Sequence, residues 1–318
     1  MIHNANMIFK NITPKLFSSK VFRGYILISF SLVYTSVSAQ DYMIFTNDSL
    51  RQGYDQSMKN PYILKPKQLN ISKDEAIGMT DRSPAFAVYR DNYFVTGIPL
   101  NKKVTNETAD AAFQISIRHR LTKSILPFNT FAYLTYTQKS FWNIYAESSP
   151  FRDTNYNPGL GLGKYLFHNN KLAGAAFLQL MHESNGRDGD ESRSWNYLSL
   201  SMKYYLNARL SLFGEFWLPY VDGDNNKDLT DYRGLGYLSV NYISNKHKWW
   251  LSADINPRDG VENINTTLTA AFRISERANQ YLFARFFQGY GESQRDYNKY
   301  VINIRVGICI KPDFYSMF

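Results

Sequence analysis

Cysteine is almost absent from this sequence. Cys309 is the only one among 318 residues. One thiol cannot form an intramolecular disulfide, and it cannot supply a cysteine-based zinc site or an iron–sulfur cluster. The cellular compartment therefore has to be read from other features of the chain.

Long hydrophobic runs and the motifs of common soluble enzymes are also missing. No run of 18 apolar residues follows residue 39, so no transmembrane helix is expected. The chain has no G-x-S-x-G nucleophile elbow, no P-loop and no dinucleotide fingerprint. Residues 222–228 begin like an EF-hand loop, but Lys227 replaces the required glycine and Arg233 the closing glutamate. These absences exclude several large enzyme classes.

The first 39 residues have the three parts of a secretory signal. Four cations precede an apolar stretch at 25–37, and Val37 and Ala39 are small residues at the positions a signal peptidase requires. A short membrane anchor is the alternative, but the apolar stretch is shorter than the ~20 residues that span a bilayer. Removing four cations from the net charge of +9 leaves +5. That value indicates no nucleic-acid partner.

The remainder of the chain alternates apolar and polar residues with a period of two. In the last such run, Ile304, Val306 and Ile308 share one face, while Asn303 and Arg305 lie on the other. Repeating this reading predicts about twelve strands separated by turn residues. They lie near 86–98, 110–121, 129–142, 156–167, 172–184, 194–206, 209–219, 233–244, 247–256, 264–275, 279–288 and 299–310.

Two architectures share this alternation, a soluble β-sandwich and an outer-membrane β-barrel. Predicted strands of about ten residues suit a bilayer, since ~9–11 tilted residues cross it. The 24 Tyr and 22 Phe, with Tyr or Trp at many strand ends, suit interfacial girdles, and the chain ends on Phe318 soon after a strand. We therefore predict an all-β fold, a twelve-stranded antiparallel transmembrane β-barrel at 86–318, preceded by an irregular segment at 40–85.

One predicted strand places polar residues on its lipid-facing side. His182 and Ser184 continue the apolar stripe of Leu178 and Leu180. If the following hairpin is symmetric about Gly189, His182 faces Asn196 and Ser184 faces Ser194. A serine, a histidine and an amide would then be close enough for nucleophilic catalysis. A polar rim at the barrel mouth is the alternative interpretation.

Several segments resemble the outer-membrane phospholipase A family. They are YTQKSFW at 136–142, ESSPFRDTNY at 147–156, HESNGR at 182–187, SRSWN at 192–196, GYGES at 289–293 and DYN at 296–298. The resemblance extends from Phe86 to the C-terminus. It implies a twelve-stranded barrel with a Ser-His-Asn triad on its outer surface, which by matching would be Ser184, His182 and Asn196.

The resemblance also implies a calcium ion, about one per active site, at the interface of a homodimer. The matching ligands are Ser148 of one subunit with the Arg187 carbonyl and the Ser192 hydroxyl of the other. The Gly186 amide would share oxyanion stabilisation with calcium, and Gln138 matches a glutamine that supports the asparagine. The sequence departs from the family at Glu183, often Asp there, and in extra acids at 188–191, which could raise calcium affinity or face water.

Two functions remain at this point. The first is a calcium-dependent phospholipase of the bacterial outer membrane that hydrolyses the sn-1 or sn-2 acyl esters of membrane phospholipids and is activated by dimerisation. The second is a non-enzymatic barrel, such as a small porin or structural protein, for which charged lumenal residues such as Arg273, Glu215 and Arg305 would line a packed interior or a water path.

Overall fold

The chain forms a large antiparallel sheet, described by a computed structural model. It covers residues 72–314 and 316, except 222–223, 245, 259–262 and 276–278. Within these residues there are two α-helices, α1 (Lys73–Arg82) and α2 (Leu229–Arg233). The strands are β1 (Phe86–Val88), β2 (Asn92–Pro99), β3 (Asp110–Arg120), β4 (Phe131–Trp142), β5 (Phe151–His168), β6 (Lys171–Ser184), β7 (Ser194–Asn207), β8 (Leu210–Tyr220), β9 (Gly236–Ile243), β10 (Trp249–Pro257), β11 (Ile264–Arg273), β12 (Gln280–Gly289) and β13 (Val301–Ile310).

The sheet closes into a barrel of twelve strands. Each strand from β3 to β13 pairs with the next, and β13 pairs with β2, which pairs with β3. The short β1 also pairs with β3 and continues the line of β2. The break between β1 and β2 lies at Tyr89–Asp91, where Arg90 forms an ion pair with Glu215 at 3.0 Å. The predicted strand 86–98 thus occupies one strand position of the barrel but is interrupted, with β1 and β2 as its two parts.

The two faces of the barrel differ in polarity as the alternation predicts. Along β13, Ile304, Val306 and Ile308 are exposed on the outside, whereas Asn303 and Arg305 are buried inside. Other large apolar side chains exposed on the outer surface include Leu134, Leu160, Leu178, Leu200, Leu218, Val240, Leu251, Leu268 and Leu282. No described helix has the length and apolar character needed to cross a membrane.

The interior is packed with paired charges around a polar cavity. Arg305 contacts Asp110 and Glu292, each at 2.7 Å, and Arg273 lies over the ring of Tyr281. Glu215 accepts a hydrogen bond from Ser199 at 2.7 Å. A separate cavity of about 390 Å³ remains in the lumen, lined by other polar and aromatic side chains such as Arg90, Lys139 and Tyr237. The three lumenal charges singled out from the sequence, Arg273, Glu215 and Arg305, each contact another side chain, which fits the interpretation of a packed polar interior.

One end of the barrel, which we call the turn end, carries the short connections such as 169–170 and 208–209. Helix α1 lies there, starting with a capping box in which Ser72 and Glu75 exchange hydrogen bonds. Phe314, beyond β13, is buried there against Trp250 and Tyr205. The opposite, loop end carries the long connections, including 185–193 and 290–300.

The predicted barrel with twelve strands is confirmed. Strand β5 begins at Phe151, earlier than the predicted 156. Helix α1 lies inside the segment 40–85, which we expected to be irregular. The predicted signal at 1–39 and the terminal Phe318 lie outside the described residues.

Candidate active site

The hairpin of β6 and β7 positions the predicted triad residues. His182 is paired with Asn196, and Ser184 with Ser194, as expected for a hairpin symmetric about Gly189. His182, Ser184 and Asn196 are partly exposed on the outer face, while Glu183, between them on β6, is buried inside. The register therefore brings the three side chains to one patch of the lipid-facing surface, next to the loop end.

The histidine and the asparagine are in direct contact. His182 Nδ1 lies 2.9 Å from Asn196 Oδ1. An amide oxygen only accepts hydrogen bonds, so Nδ1 carries the proton in this contact. In the neutral imidazole, the other ring nitrogen, Nε2, is then the one without a proton and can act as a base.

Ser184 lies two residues along the same face. In the part of the chain that the structure describes, its hydroxyl makes no hydrogen bond to His182. Residues i and i+2 of a strand are ~6.5–7 Å apart at Cα, so a rotamer change can close the gap. Catalytic hydrogen bonds are often long before substrate binds.

Gly186 follows in the loop and has a left-handed backbone, with φ of 66°. A Cβ at this position would lie 2.8 Å from the ring of Tyr156. Asn185 organises the same loop, since its side chain donates to the Glu191 carbonyl at 2.8 Å and accepts from the Arg193 amide at 3.0 Å. Sequence reasoning did not single out Asn185, although an Asn-Gly dipeptide is a turn signal.

A second residue missed from the sequence, Asn157, supports the strand beneath His182. Pro158 on β5 has no N–H to donate towards β6. The Asn157 side chain donates to the His182 carbonyl at 2.7 Å and to the Tyr197 hydroxyl at 3.0 Å. A proline in the middle of a strand could have signalled such a compensating donor.

Gln138 lies on β4, two strands away from β6, and within this chain it is not brought to Asn196. Its side chain accepts from the Tyr136 hydroxyl at 3.0 Å and donates to Ser140 at 3.4 Å. The supporting role implied for Gln138 stays a prediction.

The candidate calcium ligands lie in two loops at the loop end. Ser148 lies between β4 and β5 and has φ of 61°, while Arg187 and Ser192 lie between β6 and β7. Over the described residues, no cluster of three or more His, Cys, Asp or Glu side chains could hold a metal.

The extra acids at 188–191 include one that is paired. Glu191 forms an ion pair with Arg187 and another with Arg295 at 2.7 Å. The Arg187 side chain also donates to the Arg152 carbonyl at 2.9 Å. Glu191 therefore ties this loop to the loop at 290–300.

An apolar outer surface on a closed antiparallel barrel defines the class of protein, an integral outer-membrane β-barrel. The solved structure of outer membrane phospholipase A from Escherichia coli has a TM-score of 0.64 and 28% identity, covering 72% of this chain and 99% of that one. The Salmonella typhi outer membrane phospholipase dimer with bound calcium has a TM-score of 0.63 and 27% identity, covering 73% and 93%.

Sequence comparison then gives the family. The phospholipase A1 family matches residues 83–310, and this chain belongs to it. It is 34% identical to phospholipase A1 of Klebsiella pneumoniae over 222 residues, or 64% of this chain and 71% of that protein. The Escherichia coli K12 phospholipase A1 is 32% identical over 215 residues, with the same shares. The protein is thus a phospholipase A of the outer membrane, and the non-enzymatic alternative is not retained.

Proposed function

We propose that the protein hydrolyses acyl esters of membrane glycerophospholipids with Ser184, His182 and Asn196, that it depends on calcium, and that dimerisation activates it. The observation that carries the proposal is the 2.9 Å contact of His182 with Asn196 on the outer face that also bears Ser184. A site on this surface meets its substrate in the bilayer. The fold alone would not select these residues.

Each residue has a defined role in the proposed reaction. Ser184 Oγ attacks the ester carbonyl carbon while His182 Nε2 takes the hydroxyl proton. The proton then passes to the departing lysophospholipid oxygen, and water releases the fatty acid in a second, equivalent step. Asn196 holds the imidazole by Nδ1, and the Gly186 N–H, which donates to no acceptor within the described chain, is available to the oxyanion.

The proposed calcium ligands fit the preference of this ion for oxygen. The Ser192 hydroxyl has no hydrogen-bond partner among the described residues, so it is available as a ligand. The Arg187 carbonyl of the same subunit and Ser148 of the partner subunit would be the other calcium ligands that the protein provides. Bound calcium would supply positive charge near the oxyanion, which an asparagine triad lacks. One of the similar structures is a dimer with bound calcium.

Replacing the nucleophile tests the proposal. Ser184→Ala should lower fatty-acid release from mixed micelles with calcium by about three orders of magnitude or more. Ser194→Ala is the matched control, since it removes a hydroxyl directly opposite on the same face and should stay near wild type. Comparable activity in Ser184→Ala and the wild type would refute the mechanism.

Mixing two inactive variants tests the composite site. Ser148→Ala and Ser184→Ala should each be nearly inactive alone. Refolded together, they should recover roughly a quarter of wild-type activity, because half of random pairs are mixed and each mixed pair has one intact site. Recovery should require calcium. No recovery, together with cross-linked mixed dimers, would contradict the placement of Ser148 in the partner's site.

A further inference from the structure

Glu183 lies between His182 and Ser184 but points to the opposite side of β6. Its side chain is inside the barrel, and the residue is 6% exposed. The carboxylate accepts a hydrogen bond from the Trp195 indole Nε1 at 3.1 Å and forms an ion pair with Arg233 at 2.9 Å. A buried carboxylate is costly unless it is paired in this way.

Its partner Trp195 occupies the matching position on β7. Glu183 and Trp195 are directly opposite in the register, with His182 and Asn196 on one side of them and Ser184 and Ser194 on the other. Trp195 is nearly fully buried and stacks on Tyr197 at 4.1 Å between ring centroids. The indole is therefore fixed by packing as well as by its hydrogen bond.

Arg233 connects this pair to a third element. It ends α2, in the connection between β8 and β9. Its guanidinium lies over the Trp195 ring at 5.4 Å while it pairs with Glu183. Glu183, Trp195 and Arg233 form what we call the lumenal clamp.

We infer that the lumenal clamp is a positioning unit for the proposed triad. Adjacent residues of a strand point to opposite faces from one rigid backbone. Fixing Glu183 against Trp195 inside the barrel therefore fixes how His182 and Ser184 are aligned with Asn196 outside. This inference rests on the proposed function. Lipid on the outer face is mobile and offers few rigid contacts to the triad side chains. Their orientation is therefore set by contacts in the packed interior.

Glu215 provides a matched comparison. It is also buried, at 5% exposed, accepts a hydrogen bond from Ser199 at 2.7 Å and pairs with Arg90 at 3.0 Å. It lies on β8 opposite Ser201, away from the triad. A general loss of barrel stability should affect both glutamate sites, whereas a loss of triad alignment should follow only from Glu183.

The test compares Glu183→Gln, Trp195→Phe and Glu215→Gln in the full chain folded in detergent with calcium. Trp195→Phe keeps an aromatic ring but removes the indole N–H donor together with one ring of the indole. For the two clamp variants, we expect kcat to fall by about tenfold or more with KM nearly unchanged, because misplacement of about 1 Å can cost 10²-fold. The rate at which a fluorophosphonate phosphonylates Ser184, with loss of fluoride, should fall by a similar factor. Glu215→Gln should retain both rates per folded molecule.

Equal losses in Glu183→Gln and Glu215→Gln would overturn the inference, as would wild-type rates in Trp195→Phe. If Glu183→Gln does not fold, Trp195→Phe decides. Ser184→Ala is run in parallel. Activity or labelling that survives in Ser184→Ala refutes the proposed function. If Ser184→Ala loses both while the clamp variants keep wild-type rates, only the positioning role is refuted.

Discussion

At the scale of single residues, asparagine side chains around the candidate site supply hydrogen bonds that neighbouring groups cannot make. Asn157 donates to the His182 carbonyl beside Pro158, which has no N–H. Asn196 holds the imidazole as a neutral partner. Asn185 satisfies backbone groups at both ends of its loop. Three asparagine amides thus define the conformation around His182 and Ser184, because each can both donate and accept.

Gly186 combines a left-handed backbone with a close neighbour on the side where a Cβ would lie. Gly186→Ala should lower phospholipid hydrolysis more than tenfold, because a left-handed backbone costs a residue with a Cβ ~1–2 kcal/mol and the new methyl would approach the Tyr156 ring. Turnover per folded molecule measures this effect. Gly189→Ala is the control, since Gly189 also has a positive φ but has nothing within 4 Å of an added Cβ. Equal losses in the two variants would show that backbone strain alone, without the Tyr156 contact, is responsible.

At the scale of elements, pairing between strands decides which residues meet. The seam between β13 and β2 joins the last strand of the barrel to the first. Gly307 on β13 and Gly97 on β2 lie on the lumenal side of this strand pair. A Cβ on either one would collide with the backbone of the neighbouring strand. The close approach of these two strands therefore requires glycine at both positions.

Gly307→Ala should weaken closure of the barrel. Its Cβ would lie 2.1 Å from the Phe94 carbonyl oxygen and 2.8 Å from Val95 Cα, and backbone atoms cannot move aside as a side chain can. We expect a lower thermal unfolding temperature and a lower refolding yield, measured by the migration of unheated protein in gels. In Gly214→Ala the nearest atom is Leu238 Cδ2 at 3.2 Å, so this variant should fold normally. A normal unfolding temperature for Gly307→Ala would contradict the seam argument.

At the scale of the whole molecule, ion pairs connect distant parts of the chain across the lumen. Glu292, in the loop after β12, pairs with Arg285 at 2.6 Å and with Arg305 at 2.7 Å. Arg305 also pairs with Asp110 on the other side of the closing strand β2. This network fastens the loop at 290–300 over the interior of the barrel.

The network predicts how stability depends on pH. Burial alone would raise the pKa of Glu292, but Arg305 and Arg285 lower it, and the result lies well below the usual 4.5. A lowered pKa contributes stability that is complete above the unfolded value and is lost as the pH falls through the folded value. Glu292→Gln should therefore lower the thermal unfolding temperature at about pH 7 and still do so at about pH 4, with a shrinking difference in stronger acid.

Thermal unfolding of wild type and Glu292→Gln across this range provides the measurement. Glu107→Gln, at an exposed glutamate in another loop of the same end, should change the unfolding temperature little at any pH. Disappearance of the Glu292→Gln difference at the usual glutamate pKa would contradict the lowered pKa.

Much of the barrel could be predicted because the alternation of apolar and polar residues along each strand is a local feature of the sequence. Each residue of β13 faces lipid or lumen according to its parity, so strands, faces and the pairing of His182 with Asn196 followed from counting. The break at Tyr89–Asp91 did not follow in this way, because Arg90 at the break pairs with the distant Glu215. The start of β5 at Phe151 did not either, because Phe151 pairs with and stacks on Trp142 of β4.

The sequence by itself determined the strand pattern, the apolar outer face and the candidate residues Ser184, His182 and Asn196, since spacing along a strand is enough to place side chains on one face. Only the tertiary structure decided which groups lie behind them. The contacts of Glu183 with Arg233 and of Asn157 with Tyr197 join positions 50 and 40 residues apart. Such contacts arise from how the barrel closes and packs its interior, and no local pattern in the chain encodes them.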